Sequence, residues 1–524
     1  MKNFKILFLF LAFLATSVFT MTSCGDDDSS VPTITVSGIV SDELGNLLEN
    51  TSVTSESDET KTTTTAAGGT FSISIEEGVN LVFSKDGYSS TTAIAATLVN
   101  VTLDRSSGAF FAESFATDGN SFVDPAFGAG SIQPSADLGT VATIDGQFQT
   151  VSFKGAVDPS GTPWYAGWSF YSRLIAGEVN SAALTLGNIV QVTDADILNS
   201  GSTSITWTND NTYVLNGFVF INDGQTLNIE AGTIIQGKSG EAENASALIV
   251  ARGGKINAMG TADAPVIFTY EGDMGNTPAT LRGQWGGLII LGNSSLNSNP
   301  GESAIEGIPT NEPRGLYGGN IEDENSGVLN YVSIRHGGTL IGGDNEINGL
   351  TLGGVGSGTT IEYVEIIGNK DDGIEWFGGT VKGRYLISAF CADDGLDYDE
   401  GYRGGNQFVI VHQDPAADAA DRGGEHDGGT DPETGTPFAT PTFVNVTSVG
   451  NPDSRALTFR DNAGGKYQNS IFVNYGRGVD IENLEGQDQD SFKQWEDGLL
   501  ELSNNVFFNI GAGDRAEETF KVSN

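Results

Sequence analysis

The chain has 524 residues, room for two or three compact units, and 25 Lys and Arg stand against 68 Asp and Glu, a formal net charge of −43. Nucleic acid is excluded as a partner, because phosphate binding needs a basic surface; cations, neutral glycans and proteins remain. Gly supplies 71 residues, the load expected of a chain that turns tightly and often.

Lys2 and Lys5 open the chain, and an apolar run follows from Ile6 to about Phe19, then Met21-Thr22-Ser23-Cys24. The run is too short to span a bilayer and ends in small residues, as a signal peptide does. The tetrad resembles a bacterial lipobox. That resemblance implies that residues 1–23 are removed and Cys24 is lipidated; an ordinary signal peptide with an incidental Cys is the alternative. Residues 24–31 form an acidic tether, and Cys24 followed by Asp26-Asp27-Asp28 resembles the export signal of surface lipoproteins in the Bacteroidota. The implied address is the outer face of the outer membrane, held there by the lipid anchor alone. With Cys24 acylated, Cys391 has no disulfide partner and reads as an inert core residue in the apolar run LISAFC.

Residues 32–105 alternate apolar and polar positions between turn signals, as in GGTFSISIEEG and NLVFSKDGYSS, which predicts a small β-sandwich. The order G-x-V-x-D-x-x-G-x-x-L, G-x-F-x-I, F-x-K-x-G-Y resembles the carboxypeptidase regulatory-like, transthyretin-type domain. In that family the domain serves as a spacer, so a stalk is expected here. Residues 106–187 read as a linker and N-terminal cap. Within them the aromatic segment 161–174, GTPWYAGWSFYSRL, is expected to cover the open end of the following domain; a sugar-stacking platform is the alternative.

From 188 to 524 short β-type runs recur, with no convincing amphipathic helix. The window 363–379, YVEIIGNKDDGIEWFGG, lies over 385–401, YLISAFCADDGLDYDEG, without a gap at an offset of 22 residues. Tyr363/Tyr385, Asp371/Asp393, Asp372/Asp394, Gly373/Gly395 and Gly379/Gly401 are identical pairs. A period of this length marks solenoid coils. The fold class expected is therefore all-β, a right-handed parallel β-helix preceded by the sandwich, and the motifs resemble the pectin-lyase-like superfamily. Polar breaks at 271–284, 292–325 and 414–440 are read as loops projecting from the coils, where function usually sits.

If Ile374/Trp376 and Leu396/Tyr398 point inward, Glu375 and Asp397 must point outward and stack one above the other. Asp371, Asp372, Asp393 and Asp394 stack in the preceding turns. Like charges across a ladder repel, so a cation, a shared proton or backbone N–H donors must compensate. Calcium held by Asp371, Asp372, Asp393, Asp394 and Asp397 is one reading, since it takes six to eight oxygens; Asp-Asp-Gly as a turn sequence is the other. Polygalacturonase-like hydrolases carry acidic turns in this order, which implies catalytic candidates in Asp372, Asp394, His426 and Arg460. Their G-H-G and R-I-K motifs are absent here, however. Arg422, Glu425, His426 and Asp427 on a Gly-rich loop are candidate ligand contacts, with Arg422 reaching Asp393 or Asp399. His336 and His412 read as packed rungs. The function expected is non-catalytic binding of an extracellular polysaccharide or surface protein. A polysaccharide lyase or hydrolase and a purely structural adhesive protein are the alternatives.

Overall fold

The computed structural model describes residues 33–103 and 148–523, apart from short stretches within them, and the strands Val123–Ala126 and Ser131–Pro134. Residues 1–32, where the signal peptide, lipidated Cys24 and acidic tether are expected, lie outside the described residues. The chain divides into two compact units, 1–106 and 107–524.

In the first unit, Thr33–Asp42 pairs antiparallel with Thr70–Glu76 and parallel with Val101–Leu103. A second sheet orders Thr62–Thr64, Ser52–Ser55, Asn80–Ser84 and Thr91–Ile94. Alternation drives the burial: in Thr70–Glu76 the residues Phe71, Ile73 and Ile75 turn inward while Thr70, Ser72 and Ser74 stay wet. Val36, Val53, Leu81 and Phe83 complete the core of this small sandwich.

The second unit is a right-handed parallel β-helix. One sheet of ten strands is parallel throughout, and its ladder fixes the coils in register. Ile374 lies opposite Leu396, Glu375 opposite Asp397 and Trp376 opposite Tyr398, the pairing expected from the repeated windows. The inward column Leu352, Trp376, Tyr398, His426, Phe459, Ile481 belongs to the interior or stacks on it. Trp376 stacks on Tyr402 at 5.3 Å between ring centroids and meets Phe443 edge-on, contacts that add to the burial of large rings.

The longer sheet bends at one column. Tyr331, Tyr363, Tyr385, Phe408, Asn445, Asn469 and Asn504 succeed one another up the coils, and each has φ between 49 and 60°. That region is costly for bulky residues. Stacking offsets part of the cost: Tyr331–Tyr363 and Tyr363–Tyr385 lie 4.4 Å apart and Tyr385–Phe408 5.1 Å.

Three expectations need correction. The aromatic segment 161–174 does not lie over an open end. It packs on the outer side of the long sheet, where Tyr165, Phe170 and Tyr171 join Ile367, Ile387, Ile410 and Val449. The reason is a buried anchor: Glu365 accepts from the N–H groups of Phe170 (2.7 Å) and Tyr171 (3.0 Å). Short helices do occur, at Asp194–Asn199 and Ser491–Glu496. The first carries a Thr193/Asp196 capping box and sends Ile197 into the interior. Finally, 414–440 is not one loop. Arg422–Asp427 is a strand of the ten-stranded sheet, between Leu396–Asp399 and Arg455–Arg460.

Candidate metal centre

The outward column of the ten-stranded sheet reads Phe220, Ile249, Ile289, Thr351, Glu375, Asp397, Glu425, Thr458, Asp480. Its first three residues are apolar and covered by Ile305, Ile308 and Tyr317 of the 292–325 loop. The column turns acidic at the coils that follow. Three carboxylates in succession, Glu375, Asp397 and Glu425, then face one another at the strand spacing of about 4.8 Å.

The Asp-Asp-Gly turns bring further acids to the same place. Gly373 and Gly395 are required there by close approach: a Cβ on Gly373 would stand 1.9 Å from Ser388 Oγ, and one on Gly395 2.4 Å from Val411 Cγ1. Gly395→Ala should therefore lower the melting temperature of the β-helix. Gly161→Ala, whose added methyl would come no nearer than 3.8 Å to a neighbour, should leave it unchanged. Each second Asp caps the next coil. Asp372 Oδ1 accepts the N–H of Asp394 at 2.8 Å, and Asp394 Oδ1 accepts that of Arg422 at 2.6 Å. The turn reading thus accounts for one oxygen of each.

The acids also converge. Asp372, Glu375 and Asp397 offer carboxylate atoms within 4.8 Å of one another, and so do Asp394, Asp397 and Glu425. Asp371, Asp372 and Asp393 form a third such group, and Asp393, Asp394 and Asp421 a fourth. Asp397 is common to the first two, and its Oδ1 is buried with no hydrogen-bond partner. Asn348 precedes Asp372 in the ladder position and its amide touches both Glu306 and Glu375; its buried Oδ1 also lacks a partner. These groups could hold a metal ion.

Burial and mutual repulsion shape the acidity. Asp372, Glu375, Asp394 and Asp397 are all held well above the ordinary carboxylate range, first by burial and then by neighbouring carboxylates. Burial likewise pushes Asp371 and Asp427 up to about 7. The Glu306 carboxyl, joined to that of Glu375 through the Asn348 amide, is also raised, first by burial. An acid raised by folding contributes stability that is complete below its unfolded value near 4 and is lost as pH rises through its folded value. The buried imidazoles act oppositely: His336 is lowered to about 4 and His426 to about 3 by burial, so their contribution falls as pH drops below about 6.5. The acids outnumber them. Metal-free protein in EDTA should melt at a higher temperature at pH 5.5 than at pH 8, and an equal or lower midpoint at pH 5.5 contradicts this balance.

The sequence-predicted residues separate into two sets. Asp371, Asp372, Asp393, Asp394 and Asp397 are gathered as expected, with Glu375, Glu306 and Glu425 added by the ladder and the loop. Arg422 pairs with Asp394 at 3.5 Å and Glu425 at 3.2 Å, and also with Asp421, not with Asp393 or Asp399 as expected. Arg460 grips Asp427 with Nε and Nη2 at 2.7 and 3.1 Å and reaches Glu425 with Nη1 at 2.9 Å. Those carboxylates raise its pKa. His426 requires correction: it is not on a loop but in a strand, fully buried, stacked on Tyr398 at 4.2 Å and bonded through Nε2 to the Tyr467 hydroxyl at 2.8 Å. It takes the inward position of Trp376 and Tyr398, so its ring presents nothing to a ligand. Glu425 and Asp427 flank it on the outward side.

Among the described residues no helix is long and apolar enough to cross a membrane. Two solved structures of PfbA, a surface protein and adhesin of Streptococcus pneumoniae, are distantly similar. The first is 10% identical with a TM-score of 0.20, covering 67% of this chain and 96% of that one. The second is 10% identical with a TM-score of 0.17, covering 61% and 86%. Neither likeness is close enough to bear on function. No curated protein matches the chain. The parallel coils agree with a match of residues 199–524 to the pectate-lyase like beta helix domain, and the chain belongs to that family.

Proposed function

We propose that this is a non-catalytic, surface-anchored binding protein whose acidic coil face holds calcium and, through it, an extracellular glycan. The observation that carries this reading is Asp397, shared by two groups of three carboxylates from adjacent coils and left with an orphaned Oδ1. Oxygens within 4.8 Å of one another suit an ion that bonds oxygen at about 2.3–2.6 Å. The donors are carboxylates and an amide, hard ligands that favour calcium over softer metals. Calcium bound there leaves coordination positions for the hydroxyl or carboxylate oxygens of a polymer.

Two features weigh against catalysis at this face. His426 is sealed in the interior, and Arg460 is held charged by Asp427 and Glu425, the wrong state for a base. Lipidation of Cys24 and a stalk role for residues 32–105 complete the proposal; they rest on the sequence motifs. The test is retention of the purified protein on a panel of immobilised polysaccharides, in calcium and in EGTA, with assays for new reducing ends and for unsaturated uronate. Calcium-dependent retention without cleavage is the expected result. Product release on any member of the panel would replace binding with catalysis.

A further inference from the structure

A shallow, largely open depression of about 550 Å³ lies among the coils, lined by Ser295, Glu322, Ser357, Thr380, Lys382, Arg403 and Pro437. None of these belongs to the acidic groups above. Two of the long breaks in the sequence build it: Ser295 and Glu322 come from 292–325, and Pro437 from 414–440. Three coils supply the rest, Ser357, Thr380 and Arg403 from their turns and Lys382 from the start of a strand. The walls are pre-arranged. Arg403 is held by Gly401 O at 2.6 Å, Ser295 Oγ at 2.9 Å and Glu322 Oε2 at 2.8 Å. Glu322 also accepts from Ser294 Oγ and Ser295 Oγ. Its backbone carbonyl takes the hydroxyls of Thr380 and Ser357.

We propose that this pocket is a recognition site for a neutral sugar unit of a glycan. It mixes a fixed donor (Arg403), an exposed one (Lys382), a half-exposed acceptor (Glu322) and hydroxyl oxygens that accept, their protons being committed to Glu322. Vicinal sugar hydroxyls, each donor and acceptor at once, match such a surface. An anionic ligand fits less well. The guanidinium is already neutralised by Glu322, and the chain carries −43, so the long-range field repels anions. The pocket shares with the reading above only that the partner is a glycan. Its ligand needs no metal, so chelator separates the two.

Saturation-transfer NMR in EGTA with cellohexaose, mannohexaose, maltohexaose and hexagalacturonate tests the assignment. At least one neutral hexasaccharide should bind. Its Kd should rise at least tenfold in Ser357→Trp, which fills the exposed mouth, and in Lys382→Ala, with both variants melting as the parent does. Absence of binding by all three neutral sugars overturns the proposal, as does binding by hexagalacturonate alone. So does a neutral sugar whose affinity neither variant changes.

Discussion

Asp397→Asn is expected to abolish the calcium-dependent rise in melting temperature while leaving the metal-free protein at pH 8 more stable than the parent. Both halves follow from one position. Asp397 is the member common to the two groups formed with Asp372 and Glu375 and with Asp394 and Glu425. Removing its charge therefore takes a ligand from both. In the metal-free state the same charge faces Glu375 on one side and Glu425 on the other, and relief of that repulsion stabilises the coils. For the parent, calcium at a hundredfold excess over its Kd adds about 2.7 kcal/mol. Differential scanning fluorimetry of both proteins, with calcium and with EGTA at pH 8, reads the crossover. A variant that still responds to calcium as the parent does would remove Asp397 from the site.

Glu365→Gln should cost about 3–5 kcal/mol, the penalty for leaving a buried charge without its partner. Glu365 is completely buried, with Arg335 at 4.0 Å and the hydroxyl of Ser333 at 2.6 Å. Arg335 has an unpartnered Nη1 already and lies under the Phe170 ring at 4.4 Å. The same carboxylate anchors the backbone of the aromatic segment. The variant should thus lose denaturant resistance and, more tellingly, lose amide protection at Phe170 and Tyr171 before the coils open. Unchanged hydrogen exchange at those two amides would show that the segment is held by its apolar contacts alone.

The coil repeat was legible because Ile374-Glu375-Trp376 and Leu396-Asp397-Tyr398 keep the period-two alternation that burial imposes. The next coil was not. In Arg422–Asp427 the inward positions are Gly424 and His426, so the strand shows no apolar alternation and reads as a Gly-rich loop. The imidazole fills the space an aromatic fills one coil earlier, a substitution visible only once the register is known. The acidic turns could be found from Asp-Asp-Gly alone. Glu306 could not, since its approach to Glu375 depends on how the 292–325 loop drapes over the column. The capping box at Thr193 and Asp196 was a readable signal for the short helix. The anchor at Glu365 was not, because Glu365 and Phe170 lie far apart in the chain and meet only when the sheet exists.

The central claim is that the acids of adjacent coils form a calcium site and not merely a set of capped turns. Isothermal titration calorimetry of calcium into the EDTA-stripped, dialysed protein at pH 7, repeated in buffers of different ionisation enthalpy, tests it most directly. Saturable binding with proton release is the predicted result, because burial and neighbouring carboxylates shift Asp372, Glu375, Asp394 and Asp397 toward the protonated form and the ion binds the ionised one. No heat of binding at millimolar calcium, from a protein that melts cooperatively, would contradict it.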